Sequence, residues 1–134
     1  MDPLSTQPAG AQSSYTILVV EDTAIQAKKL QFYLEKFGHR VTWAENGRKA
    51  FEILQARGAE FDLIISDIQM PEMDGLEATR QLRVLPAFAA TPIIALTALA
   101  MPGDRERCLE AGVNEYMTKP LRLKTLVETI QRLL

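Results

Sequence analysis

With 134 residues, 47% of them hydrophobic and 24% charged, the chain has the size and make-up of one globular domain able to bury a sizeable core. A formal net charge of -2 excludes the strongly basic surface that nucleic acid as main ligand demands, and the single cysteine, Cys108, excludes an internal disulfide. No run approaches the roughly 18 consecutive apolar residues of a membrane span, and the N-terminus lacks the charged start and apolar core of a secretory signal, so the expectation is a cytoplasmic protein with neither membrane nor nucleic acid among its partners.

Residues 1–14 are rich in Ser, Gln, Pro, Ala and Gly and offer little to bury, which predicts a flexible segment or linker. From Tyr15 to the end, residues 15–134 alternate short β-branched runs with helical patterns and form the one domain. The strands are expected at Thr16–Val20, Arg40–Ala44, Asp62–Ser66, Pro92–Leu96 and Asn114–Met117. Ile17–Val20, Leu63–Ile65 and Ile93–Leu96 are continuous apolar runs, the pattern of strands covered on both faces.

Between them, Ala27, Leu30, Leu34 and Phe37 follow the three-four spacing of a buried helix face, with Gly38 as its cap. Ala50, Ile53 and Leu54 repeat that spacing before Gly58. Asp74 and Glu77 suit a capping box that opens a third helix carrying Leu76 and Leu82 inward. Pro102 fits the first turn of a fourth helix, which carries Cys108 and ends at Gly112. A fifth turns Leu123, Leu126, Val127, Ile130 and Leu133 or Leu134 toward the core. Five strands alternating with five helices predict an α/β fold, a doubly wound parallel sheet with helices on both faces.

In such sheets ligands sit beyond the carboxyl ends of the strands. There the sequence places Glu21-Asp22 after the first strand, Ser66-Asp67 after the third, Thr97 after the fourth, and Lys119-Pro120 after the fifth. Three carboxylates, one hydroxyl and one ammonium would share an edge. Carboxylates this close repel one another, and a hard divalent cation such as Mg²⁺, which prefers oxygen ligands, would relieve the repulsion. The chemistry this suits is attack by Asp67 on a phosphoryl group, with Lys119 and the cation neutralising charge and Thr97 hydrogen-bonding the product.

The ordered set Glu21-Asp22, Ser66-Asp67-Ile68-Gln69-Met70-Pro71, Asp74-Gly75, Thr97-Ala98 and Lys119-Pro120 resembles the signature of response regulator receiver domains, over about Tyr15 to Leu134. The resemblance implies a flavodoxin-like five-stranded sheet of order 2-1-3-4-5 with five helices. It implies that Asp67 accepts a phosphoryl group from a histidine kinase or histidine phosphotransfer protein. Glu21, Asp22, Asp67 and the backbone carbonyl of Gln69 would hold Mg²⁺, Thr97 and Lys119 would contact the phosphoryl group, and the Lys119–Pro120 peptide would be cis. Tyr116 would be the switch aromatic that follows Thr97 inward. The face of the fourth helix, fifth strand and fifth helix would report the state to an effector or a second copy.

Ile25, offset from the buried stripe beside the acidic pair, is either a cover for the helix end or an apolar contact for the phosphodonor. In the run Ala98–Met101, Leu99 and Met101 are either core or partner contacts, and Leu99 and Gln69 flank the phosphoryl position. His39 is expected in a solvated turn, and Trp43 as a structural residue without a motif. The runs Glu-Asp-Thr-Ala-Ile and Ala-Glu-Asn-Gly resemble hybrid-kinase receivers more than free-standing ones. Two rival classes fit poorly. An interaction-only pseudo-receiver usually lacks one of the key residues, and none is missing. A flavin protein or an aspartyl-phosphate phosphatase would need a phosphate-binding loop at Glu21-Asp22 or a second carboxylate at Gln69.

Overall fold

The computed structural model describes residues 14–67, 75–97 and 102–134. Five strands, β1 (Thr16–Val20), β2 (Arg40–Ala44), β3 (Leu63–Asp67), β4 (Ile93–Thr97) and β5 (Glu115–Thr118), form one sheet of order β2-β1-β3-β4-β5. All four pairings are parallel. The helices are α1 (Ala24–Lys36), α2 (Gly47–Arg57), α3 (Gly75–Arg83), α4 (Asp104–Ala111) and α5 (Leu123–Leu133). The expected α/β architecture and strand order are therefore the observed ones.

Alternate residues of each central strand point to opposite sides, so one apolar run serves two cores. Leu18, Val20, Ile64, Ile93 and Ala95 pack with Ala50, Leu54, Leu82 and Cys108 on the side of α2, α3 and α4. Ile17, Val19, Leu63, Ile65, Ile94 and Leu96 pack with Leu34, Leu126 and Ile130 on the side of α1 and α5. Each fully buried aliphatic side chain contributes about 1.5–3 kcal/mol, and the two layers together hold the strand ends in register.

The first two strands span the expected residues, whereas the last three begin and end one residue later than expected. Asp62, Pro92 and Asn114 stand before their strands for separate reasons. Asp62 turns its carboxylate to the Thr16 N–H, Pro92 has no N–H to give, and Asn114 turns its side-chain oxygen to the Ile93 N–H. Gly38, with φ of 90°, closes α1 in the left-handed conformation that favours glycine. Gly112, with φ of 110°, does the same for α4.

Several inward assignments change. Phe37 caps α1 and is 41% exposed, and Leu123, at the start of α5, is 40% exposed. Pro102 precedes α4 by a turn, since the helix starts at Asp104 after Gly103, whose φ is 87°. Gly58 is not a left-handed cap but begins a short 3₁₀ turn, where the Phe88 ring occupies the space a Cβ would take. Asp74 lies outside the described residues.

Candidate functional site

Parallel register carries the ends of β1, β3, β4 and β5 to one edge of the sheet. Asp67 is opposite Leu96, and Thr97 is opposite Thr118, one residue before Lys119. The Lys119 N–H donates to the Thr97 carbonyl at 2.7 Å, and the Lys119–Pro120 peptide is cis, as the resemblance implied. This anchor starts the Lys119 side chain at the sheet edge.

Its ammonium Nζ donates to Glu21 Oε1 and to Asp67 Oδ2, each at 3.0 Å. Glu21 and Asp67 are both buried, and Lys119 is mostly so. Asp22 is exposed, yet one carboxylate oxygen each of Glu21, Asp22 and Asp67 lie within 4.8 Å of one another. Among the described residues this is the one group of three such potential ligands so close together. Three carboxylates thus face one ammonium.

Electrostatics records the imbalance. Burial raises the Glu21 carboxyl above its ordinary range and the Asp67 charge adds to this, against the hydrogen bond and charge of Lys119. Burial alone would lower Lys119, but its hydrogen bonds to Glu21 and Asp67, with their charges, outweigh burial and raise it. Lys119 therefore stays a cation, while the carboxylates keep an excess of negative charge. The donor set is all oxygen, anionic and partly open, which fits Mg²⁺ and suits zinc or a soft metal poorly.

The remaining expected residues separate into three groups. Thr97 ends β4 and is wholly buried. Tyr116 is half-buried against the α2–α4 core, and its hydroxyl, shut off from solvent, has no hydrogen-bond partner among the described residues. Burial pushes its phenol up, and the neighbouring Cys108 adds to the shift. Ile25 does not cover a helix end: it is 66% exposed, and Phe32, two turns on along α1, is equally so. Gln69, Leu99 and Met101 lie outside the described residues.

Sequence reasoning missed Phe32, although its place seven residues after Ile25 puts both on one helix face. It also missed the contact by which Trp43 reaches the Glu21 main chain, a pairing set by neighbouring strands and not by local sequence.

Comparison with known proteins agrees with this geometry. Residues 17–131 match the family model described as the response regulator receiver domain. The chain belongs to that family. It is a receiver domain of the kind that two-component phosphorelays use. It is 42% identical over 120 residues to hybrid signal transduction histidine kinase M of Dictyostelium discoideum, covering 87% of this chain but 5% of that protein. It is 36% identical over 116 residues to the polar-differentiation response regulator DivK of Brucella anthropi, covering 87% of this chain and 93% of that one. Among solved structures, the receiver domain of a sensor histidine kinase from Pseudomonas aeruginosa, with a magnesium ion coordinated in its active site cleft, superposes with a TM-score of 0.81. That pair is 38% identical and covers 90% and 97% of the two chains. The chain thus spans a small part of the hybrid kinases it matches and most of the free-standing regulator. No described helix is long and apolar enough to cross a membrane.

Proposed function

We propose that this domain accepts a phosphoryl group on Asp67 from a phosphohistidine of a kinase or phosphotransfer protein, in a Mg²⁺-dependent reaction. The observation that carries the reading is Lys119 Nζ held at 3.0 Å from both Glu21 and Asp67, with Asp22 close by. Glu21, Asp22 and Asp67 are the side chains that would hold the cation, with the Gln69 carbonyl as a further ligand. When bound, the cation neutralises charge on the phosphoryl oxygens.

Asp67 supplies the nucleophile. Its carboxylate oxygen attacks phosphorus as the P–N bond of phosphohistidine breaks, the electron pair passing to the imidazole nitrogen. Lys119, already between Asp67 and Glu21, meets the incoming negative charge. Slow attack by water returns the carboxylate and inorganic phosphate. The domain is thus a signalling acceptor that promotes its own phosphorylation and dephosphorylation, not an enzyme with a separate substrate. Thr97 turns toward the bound phosphoryl group, and Tyr116 follows. The Tyr116 hydroxyl, without a partner among the described residues, supports this, because a buried hydroxyl left so disfavours the position it occupies.

Residues 15–134 form the receiver and 1–14 a lead-in, in a cytoplasmic setting. Ile25 and Phe32 give the phosphodonor an apolar landing beside the site, and Leu99 and Met101 are the proposed contacts for an effector or a second copy. The test is intact-mass spectrometry after incubation with acetyl phosphate and Mg²⁺. The wild type should gain one phosphoryl group. Asp67→Asn or a chelator should abolish the gain, and an unchanged mass under all conditions would remove the reading. An Ile25→Asp variant should accept from acetyl phosphate normally but from a phosphohistidine protein about tenfold more slowly, the cost of a charge in an apolar contact. Equal losses with both donors would reject Ile25 as a contact.

A further inference from the structure

We propose that Trp43 is a positioning residue for the acidic turn after β1, and that its indole senses the cation held there; this rests on the Mg²⁺-dependent reading above. The indole N–H of Trp43 donates to the main-chain carbonyl of Glu21 at 2.6 Å, across 22 residues of sequence. The next residue, Ala44, accepts the Glu21 N–H on its own carbonyl at 3.0 Å. The end of β2 therefore grips both polar groups of the Glu21 backbone.

Peptide planarity gives this grip its consequence. Fixing the direction of the Glu21 carbonyl fixes the plane of the Glu21–Asp22 peptide, and with it the direction in which Asp22 leaves the strand. Glu21 and Asp67 are each held through their side chains by Lys119. Asp22 is not. It is exposed, and its carboxylate accepts one hydrogen bond, from the adjacent Thr23 hydroxyl at 3.3 Å. Its place among the three carboxylates comes from the main chain, which Trp43 holds before Asp22 and the Glu21 carboxylate holds after it, accepting the Thr23 N–H at 3.3 Å. Partners of this kind behind metal ligands commonly set affinity.

Trp43 is also the only tryptophan in the chain, so the protein's indole emission comes from this position alone. A cation drawing on Glu21 and Asp22 shifts the peptide between them and changes the field at the indole N–H.

The experiment titrates the full 134-residue chain with magnesium chloride, following tryptophan emission and, in parallel, heat. The same calorimetry is run on Trp43→Phe, which keeps a ring and removes the N–H. Wild-type emission should change and saturate together with the heat, and Trp43→Phe should bind magnesium roughly three- to tenfold more weakly, the worth of one hydrogen bond. Equal affinity in the two proteins overturns the positioning role. If Trp43→Phe does not fold, the wild-type titration decides: silent emission across a saturating heat signal overturns the proposal. A wild type that shows neither heat nor a saturating emission change overturns the cation site itself, which separates failure of that reading from failure of this one.

Discussion

The two edges of the sheet use the same kinds of side chain for opposite purposes. At the amino edge, polar groups finish backbone hydrogen bonding. Asp62 Oδ2 accepts the Thr16 N–H at 2.8 Å, Asn114 Oδ1 accepts the Ile93 N–H at 2.9 Å, and His39 Nδ1 accepts the Tyr15 N–H at 3.2 Å. Arg83 spans three elements there, donating to the Gly112 and Phe88 carbonyls and to Asn114 Oδ1. Each of these donors meets an acceptor, as buried polar groups must. At the carboxyl edge, three carboxylates meet one ammonium. The same chemistry, left with an excess of charge, becomes a place for a cation and an incoming phosphoryl group. Satisfaction marks structure, and imbalance marks function.

Substitution at the imbalanced edge should have the largest effect. Lys119→Met keeps the aliphatic bulk and removes the ammonium. Phosphorylation by acetyl phosphate should slow by about 100-fold, as expected for loss of one group aimed at developing charge. Magnesium should nonetheless bind more tightly, since it no longer competes with Lys119 for Glu21 and Asp67. Stopped assays and calorimetry read the two effects separately, and a fall in both would mean that Lys119 organises the site and does not balance its charge. Arg83→Ala should do the reverse at the other edge. Stripping a charged donor from two main-chain carbonyls and Asn114 should cost about 2–3 kcal/mol in urea unfolding, with magnesium affinity unchanged. Weakened magnesium binding there would break the division between the edges.

The carboxyl edge was more legible in the sequence than the amino edge. Glu21, Asp22, Asp67 and Thr97 stand at the ends of strands whose apolar runs are plain, whereas Lys119 follows the mixed run Glu115–Thr118, and the strand order that gathers all five came from the resemblance. The amino edge carries no such signal. Asp62, Pro92 and Asn114 look like the first residues of strands, and only pairing partners distant in sequence show that they stand outside. Trp43 escaped for the same reason, because the carbonyl it holds belongs to a different strand. Ile25 was legible as offset from the buried stripe, but sequence left its exposure open. Phe37 and Leu123 obey the helical period yet sit at helix ends, where the periodic face has run past the core.

The smallest expected effect tests whether a titrating group at the satisfied edge acts only on stability. His39 was expected in a solvated turn. Instead it is half-buried, with its ring stacked on Tyr15 at 5.5 Å and its Nδ1 accepting the Tyr15 N–H. Burial lowers its pKa below the ordinary 6.5. The folded state therefore takes up a proton later than the unfolded one as pH falls. The His39 contribution is full above about pH 6.5 and is lost as pH falls through the lower folded value. Protonation also places a hydrogen on the nitrogen that must accept from Tyr15. Between about pH 7.5 and 5.5 the thermal midpoint of the wild type should drop more than that of His39→Gln, by about 1–2 °C. Equal drops would mean that the Tyr15 hydrogen bond opens without cost. An altered phosphorylation rate at the upper pH would be more serious, since it would couple the two edges that the hydrogen bonding keeps apart.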